Sequence, residues 1–305
     1  MTRTLLAAVL AAGAVAACAP SAIAAVRVFA CEPEWAALAE EIGGGDVVSF
    51  SATHAGQDAH YIRARPSLIA QVRRADVLLC SGAELEVGWL PVLMQRGARR
   101  IVQPGESGHI MAADHVAVLE QPEVVDRSLG DIHPSGNPHV HLDPRNIALV
   151  AAVLAERLAE IDPANAEAYG SRLASFQARW REAMEGWERR LAGLRGMKVI
   201  AQHQNWVYFL NWSGLERVAS IERKPGIPPS ASHLRTVLER ARGADVKAIL
   251  KAPFESGEGA GWLSERTGIP VVELPYTVGG RPGADDLFSL FDVTLALLEG
   301  TRNQP

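Results

Sequence analysis

The chain is predicted to fold as an α/β protein of two lobes, each built on a mostly parallel four-stranded sheet, with one long rigid helix joining them. Three observations carry this expectation. Short β-branched runs alternate with helical stretches, the alternation occurs in two separate series, and a long amphipathic segment lies between the series. Strands that alternate with helices form parallel sheets covered on both faces.

In the first series the runs are 26–30 (VRVFA), 46–51 (DVVSFS), 76–80 (DVLLC) and 99–102 (RRIV), with helical patterns such as Pro66–Arg74 between them. In the second they are 198–202 (KVIAQ), 216–221 (ERVASI), 245–250 (DVKAIL) and 270–274 (PVVEL). The intervening segment carries Leu173, Phe176, Trp180, Met184, Trp187, Leu191 and Leu194 at intervals of three and four, the spacing of one helix face. Asp162 and Pro163 read as N-cap and first turn, and Gly196 as the stop. A helix from Pro163 to Leu194 would be roughly 48 Å long at 1.5 Å per residue, enough to run the height of both lobes. Its apolar stripe is expected to pack on the chain's own lobes rather than on a second copy, so a monomer is expected. The domain plan is a leader at 1–24, an N-terminal lobe at 25–162, the linker helix at 163–196 and a C-terminal lobe at 197–305.

The leader, MTRTLLAAVLAAGAVAACAPSAIA, has Arg3, an apolar stretch too short for a membrane span, and small residues before Ala24, as a secretory signal peptide does. Val15-Ala16-Ala17-Cys18 also reads as a lipobox in which Cys18 would carry lipid, and both outcomes stay open. Losing the single Arg of the leader takes the net charge from −5 to −6, and no basic stripe stands out, which argues against nucleic acid as a partner. Beyond the leader, Cys31 and Cys80 both stand at the ends of apolar β-like runs. Neighbouring parallel strands would allow a disulfide in an oxidising compartment, two buried thiols fit equally well, and no CxxC pair suggests a thiolate metal site.

Three histidines carry most of the functional signal: His60 in GQDAHYIRARPS, His139 in GNPHVHLDPRN and His203 in VIAQHQNWVYF. Each lies on a loop after an extended run or before a Pro-initiated helix. Ligands of open α/β sheets bind beyond the carboxyl ends of the strands, so all three can face one cleft between the lobes. Three neutral imidazoles make a ligand set suited to a borderline-soft divalent ion such as Zn2+.

These residues resemble the periplasmic solute-binding proteins of bacterial zinc and manganese ABC importers, over nearly the whole chain beyond the leader. The family's first His precedes a Pro-Ser-initiated helix and a G-x-x-x-E-x-W element. Here these are His60, Pro66-Ser67 and Gly82 to Trp89 around Glu86, with one extra residue before the Trp. A D/N-P-H-x-W-L-D-P motif matches Asn137-Pro138-His139-Val140-His141-Leu142-Asp143-Pro144, and H-x-A-F-x-Y-F matches His203 to Phe209. The resemblance implies two α/β lobes on one rigid helix, periplasmic localisation, and partnership with an inner-membrane ABC permease and its ATPase. A periplasmic zinc chaperone is a further conceivable partner.

The departures matter too. The family's fourth ligand is usually an Asp after the last strand of the second lobe, where this chain has Tyr276. A neutral Tyr is a poor zinc ligand, so water, Glu222, Asp285 or another carboxylate is expected to complete the shell. Three His and a water form an ordinary open zinc site, whereas Mn2+ would want more oxygen donors, which tilts the expectation towards zinc. His141 replaces the family's Trp, and if the backbone there is extended it points the same way as His139, to reach the site or to support it from behind. The 108–136 loop holds His109, Asp114, His115, Asp126, Asp131 and His133, and a solvated loop is favoured over an auxiliary metal site. His54 and His233 are read as non-ligands. The competing class is a secreted His-ligated zinc hydrolase using His139-Val140-His141 with a carboxylate base. Against it, no H-E-x-x-H or G-x-S-x-G pattern occurs and the linker interrupts the βα repeat. A binding protein, not an enzyme, is expected.

Overall fold

The computed structural model describes residues 24–122, 133–222 and 227–302. Cys18 and the rest of 1–23 fall outside them, as do Asp126 and Asp131. In the first lobe, β1 (Val26–Ala30), α1 (Pro33–Gly43), β2 (Val47–Ser51), α2 (Pro66–Val72), β3 (Val77–Cys80), α3 (Leu90–Gly97), β4 (His109–Met111) and α4 (Pro144–Ile161) follow in turn. α5 (Ala166–Leu191) then leads into β5 (Lys198–Ala201), α6 (Val207–Ser213), β6 (Glu216–Ser220), α7 (Ala231–Arg242), β7 (Val246–Lys251), α8 (Glu258–Thr267), β8 (Val271–Glu273) and α9 (Leu287–Arg302). The sheets are wholly parallel, in the orders β2-β1-β3-β4 and β6-β5-β7-β8. Pro33, Pro66, Pro91 and Pro144 each sit in the first turn of a helix, where a missing N–H loses no bond.

Alternation along the strands sorts the core. Val28, Ala30, Val77 and Leu79 face a central cluster, while Phe29, Leu78 and Cys80 face an outer one under α2 and α3. In the second lobe Val199, Ala201, Ala248 and Leu250 join the same central cluster, and Ile200 and Ile249 turn to an outer one under α7 and α8. One apolar core therefore runs unbroken through both lobes.

The long helix is the axis of that core. At 26 residues it is about 39 Å long, packed against α1 and α4 on one side and α9 on the other. Trp180, buried, donates its indole N–H to Pro144 O at 2.8 Å and stands 5.8 Å from the Phe291 ring, and Trp187 donates to Asp292 at 2.9 Å. The helix is shorter than the expected 163–194. Residues Pro163–Asn165 form a 3-10 turn, because the Asp162 carboxylate accepts from Asn165 Nδ2 and the Tyr169 hydroxyl instead of capping backbone N–H groups.

A second expectation fails at 99–102. Arg100–Val102 is a 3-10 turn, and the fourth strand is His109–Met111, paired with β3 from Leu78↔His109 onward. Two apolar residues after two arginines give too little to bury on both faces of a sheet. Gly108 lets the chain pass close to β3: a Cβ there would lie 2.3 Å from Asp76 O. His109 thus belongs to the sheet, its Nδ1 2.9 Å from Val102 O.

Cys31 and Cys80 are joined by a disulfide at the carboxyl ends of the adjacent strands β1 and β3. A Glu86 carboxylate oxygen also lies within 4.8 Å of both sulfurs, but sulfurs spent in a disulfide hold no metal. The bridge spans a sequence separation of 49 and should contribute about 4 kcal/mol through the unfolded chain. A Cys31→Ala/Cys80→Ala double variant should lose stability of that order in urea unfolding, with a larger m-value because the unfolded chain without the crosslink exposes more surface.

Candidate metal centre

All the strand ends of the second lobe deliver side chains to one cleft: His203 after β5, Glu222 after β6, Glu255 after β7 and Tyr276 after β8. From the first lobe, the loop after β2 delivers Asp58 and His60, and the segment before α4 delivers His139. Together they line a cavity of about 210 Å³. The ring centres of His60, His139 and His203 lie 5.6, 6.1 and 6.3 Å apart. Three imidazoles on a tetrahedral ion at Zn–N of about 2.0–2.1 Å would have ring centres about 5 Å apart, so a slight inward movement of the rings would place them on one ion.

Each ring is held from behind through Nδ1. His60 Nδ1 lies 2.6 Å from Asp58 Oδ1, which also caps the short turn Ala59–Tyr61 by accepting from His60 N. His203 Nδ1 lies 2.9 Å from Glu222 Oε2, and His139 Nδ1 lies 2.7 Å from the Tyr276 hydroxyl. At His60 and His203 the carboxylate partner only accepts, so the proton sits on Nδ1 and leaves Nε2 as the nitrogen available to an ion, whereas the Tyr276 hydroxyl can either donate to or accept from His139 Nδ1. Trp89 fixes the His60 loop, donating its indole N–H to Ala59 O at 2.8 Å, and Glu86 accepts from Ser81 N at 2.8 Å.

The electrostatics differ from ring to ring. His139 is buried, and desolvation, then the neighbouring His60 and His203, hold its pKa well below 6.5. Burial also pulls His203 down, but its hydrogen bond to Glu222 and the charges of Glu255, Glu222 and Asp58 outweigh this and raise it. Asp58, although partly desolvated, is lowered by its bonds to His60. Glu255, deep in the cleft, is pushed up to about 7 by burial despite accepting from Ala252 N at 2.6 Å. Burial and nearby carboxylates raise Tyr276 well above 10, so its phenol stays neutral.

The other sequence candidates fall elsewhere. Asp285 is exposed in the turn before α9 and does not line the cavity. His141 does not share the direction of His139, because Val140–Leu142 is a 3-10 turn and not extended backbone. It is fully buried, its Nδ1 3.1 Å from Glu34 Oε1 and its Nε2 2.9 Å from Tyr276 O, so it props the tyrosine rather than facing the cleft. His54 is exposed, and His233 bonds Ser220 O from within α7. Three residues were missed: Asp58, Glu255 and His133, of which Asp58 lies only two residues before His60. Glu255 lies four residues past β7, where the rule that ligands gather at strand ends would have pointed. His133, assigned to a solvated loop, stands with its Nε2 3.1 Å from His60 Nε2.

Two parallel α/β lobes on one helix, with a cleft of imidazoles at the strand ends, define the substrate-binding component of a metal-ion ABC transporter. A family model described as zinc-uptake complex component A, periplasmic, matches residues 28–299, and the chain belongs to that family. Among relatives, the metal ABC transporter substrate-binding lipoprotein ScbA of Streptococcus cristatus is 21% identical over 245 residues, 79% of this chain and 76% of its own. Among solved structures, a zinc-bound ZnuA deletion mutant aligns with a TM-score of 0.76 at 23% identity, covering 92% of this chain and 100% of that one. A manganese-bound periplasmic metal-binding protein of Candidatus Liberibacter asiaticus aligns at 0.73 and 18%, covering 90% and 99%. The hydrolase alternative finds no support in these matches.

Removing the hydroxyl that bonds His139 Nδ1 loosens the orientation of that ring. Tyr276→Phe should therefore lower metal affinity roughly 10–100-fold with one ion still bound, measured by competition with a chromophoric chelator.

Proposed function

We propose that this protein binds Zn2+ outside the cytoplasm in the interlobe cleft, through His60, His139 and His203, and hands it to an ABC permease and its ATPase in the inner membrane. The observation that carries this reading is the set of three Nδ1 anchors. Rings that line one cavity, each tethered through Nδ1, suit a cation, and a pocket for an organic solute would have no use for such tethers.

Zinc is favoured over manganese by the donors. The position after β8 offers a neutral phenol engaged with His139, where a carboxylate would supply the oxygen that Mn2+ prefers. Glu222 and Asp58 act behind the imidazoles, as charge and as tethers. Release follows from the fold: because one core joins the lobes, the ion leaves by movement of the loop carrying His60 and not by parting the sheets.

His60→Ala, His139→Ala and His203→Ala should each weaken zinc binding by more than the roughly 10–100-fold seen for outer partners of metal sites. Isothermal titration on untagged protein measures this, and unchanged affinity in all three would refute the site. Protons compete with the ion at each Nε2. With its pKa raised, His203 takes up a proton as pH falls through values above 6.5, whereas His139 does so only well below that value. Affinity should thus begin to fall above pH 6.5, by about tenfold per pH unit for one proton displaced, and steepen towards pH 5. A flat profile from pH 7.5 to 5 would count against imidazole ligands.

A further inference from the structure

The three imidazoles leave one tetrahedral position to fill, and Tyr276 after β8 is a neutral phenol engaged with His139. His133 lies against His60: their rings are 5.1 Å apart between centres and their Nε2 atoms 3.1 Å apart. Two nitrogens on one tetrahedral zinc, each at about 2.0–2.1 Å, are separated by about 3.3 Å. His60 and His133, hydrogen-bonded through their Nε2 atoms in this structure, stand within about 0.2 Å of that spacing, so exchanging the shared proton for an ion would need little movement of this pair.

The segment that presents His133 is built to stay there. Ser135 N and Ser135 Oγ donate to the two oxygens of Glu84, at 3.1 and 2.7 Å. Glu84 itself is held at φ +62°, next to Ala83 at +46°, and non-glycine residues rarely adopt such a backbone unless the surroundings enforce it. On the far side of Ser135, Gly136 at φ +107° bonds back to His133 O at 3.0 Å, and a Cβ there would meet Val118 Cγ1 at 2.5 Å. Asn137 then ties the run to the second lobe, its Nδ2 donating to Gln204 O at 2.9 Å.

From this geometry we propose that His133 is the fourth ligand, completing an all-imidazole shell with His60, His139 and His203. The proposal rests on the zinc reading above. It also specifies the selectivity of the site, since four neutral nitrogen donors suit Zn2+ and leave Mn2+ without the oxygen ligands it favours.

Zinc K-edge X-ray absorption on the full mature protein loaded with one equivalent of Zn2+ reads the shell directly. Wild type should show four imidazoles, and His133→Ala three imidazoles and one oxygen. Zinc affinity of that variant should fall by at least roughly tenfold, the lower bound set by what outer partners of metal sites cost, with one ion still bound. His133→Asp, which substitutes an oxygen donor, should restore a four-ligand protein shell and raise manganese affinity relative to zinc. A wild-type shell of three imidazoles that His133→Ala leaves unchanged, while His139→Ala still abolishes tight binding, overturns the fourth ligand alone. A wild-type protein that binds no zinc overturns both readings.

Discussion

The constraint on which the rest depends is the packing of α5 between the two lobes. Its aromatic face, Phe176, Trp180 and Trp187, is buried in a core shared by α1, α4 and α9. Arg172 adds bonds to Gly43 O and Asp46 on one lobe, and Arg190 to Asp292 and Glu299 on the other. Separating the lobes would expose several large aromatic side chains at once, each worth on the order of 1.5–3 kcal/mol or more of burial. The cleft is therefore a fixed gap of set width, and what varies is the loops that reach into it.

Contacts across the cleft floor reinforce that rigidity. Tyr208 of α6 donates to Asn137 O at 2.7 Å and accepts from Leu119 N at 3.0 Å, pinning both flanks of the loop that ends at His139. Thr277, beside Tyr276, donates to the buried Glu34 of α1, which also touches His141. The chain thus ties His139 and Tyr276 to elements of both lobes, whereas His60 is held by contacts within its own lobe, to Asp58 directly and to Trp89 through Ala59.

Much of this was legible in the sequence. Short β-branched runs marked seven of the eight strands, because parallel strands covered on both faces are written as near-continuous apolar segments. The eighth, His109–Met111, is three residues long with one fully buried side chain, Ile110, and leaves almost no pattern. The three ligand candidates were visible because each histidine abuts a strand end or a Pro-initiated helix. Of the anchors behind them, Glu222 and Tyr276 were named from the sequence without their partners, and Asp58 was not. Whether Tyr276 reaches His139, or His133 reaches His60, depends on loop paths that no local periodicity encodes. His141 shows the same limit, since a single 3-10 turn at Val140–Leu142 reverses the direction that an extended backbone would have given it.

The two carboxylates behind His60 and His203 have one more consequence. An ion held only by neutral rings would leave two uncompensated positive charges in a sheltered cavity, at a steep solvation cost. If an ion binds as proposed, Asp58 and Glu222 would supply negative charge one imidazole away, and Glu255, pushed up to about 7, would add part of a third, so the ion's charge would be offset although no anionic oxygen need touch the metal. Separating charge balance from coordination in this way lets the protein offset the ion's charge without anionic bonds that would slow its departure.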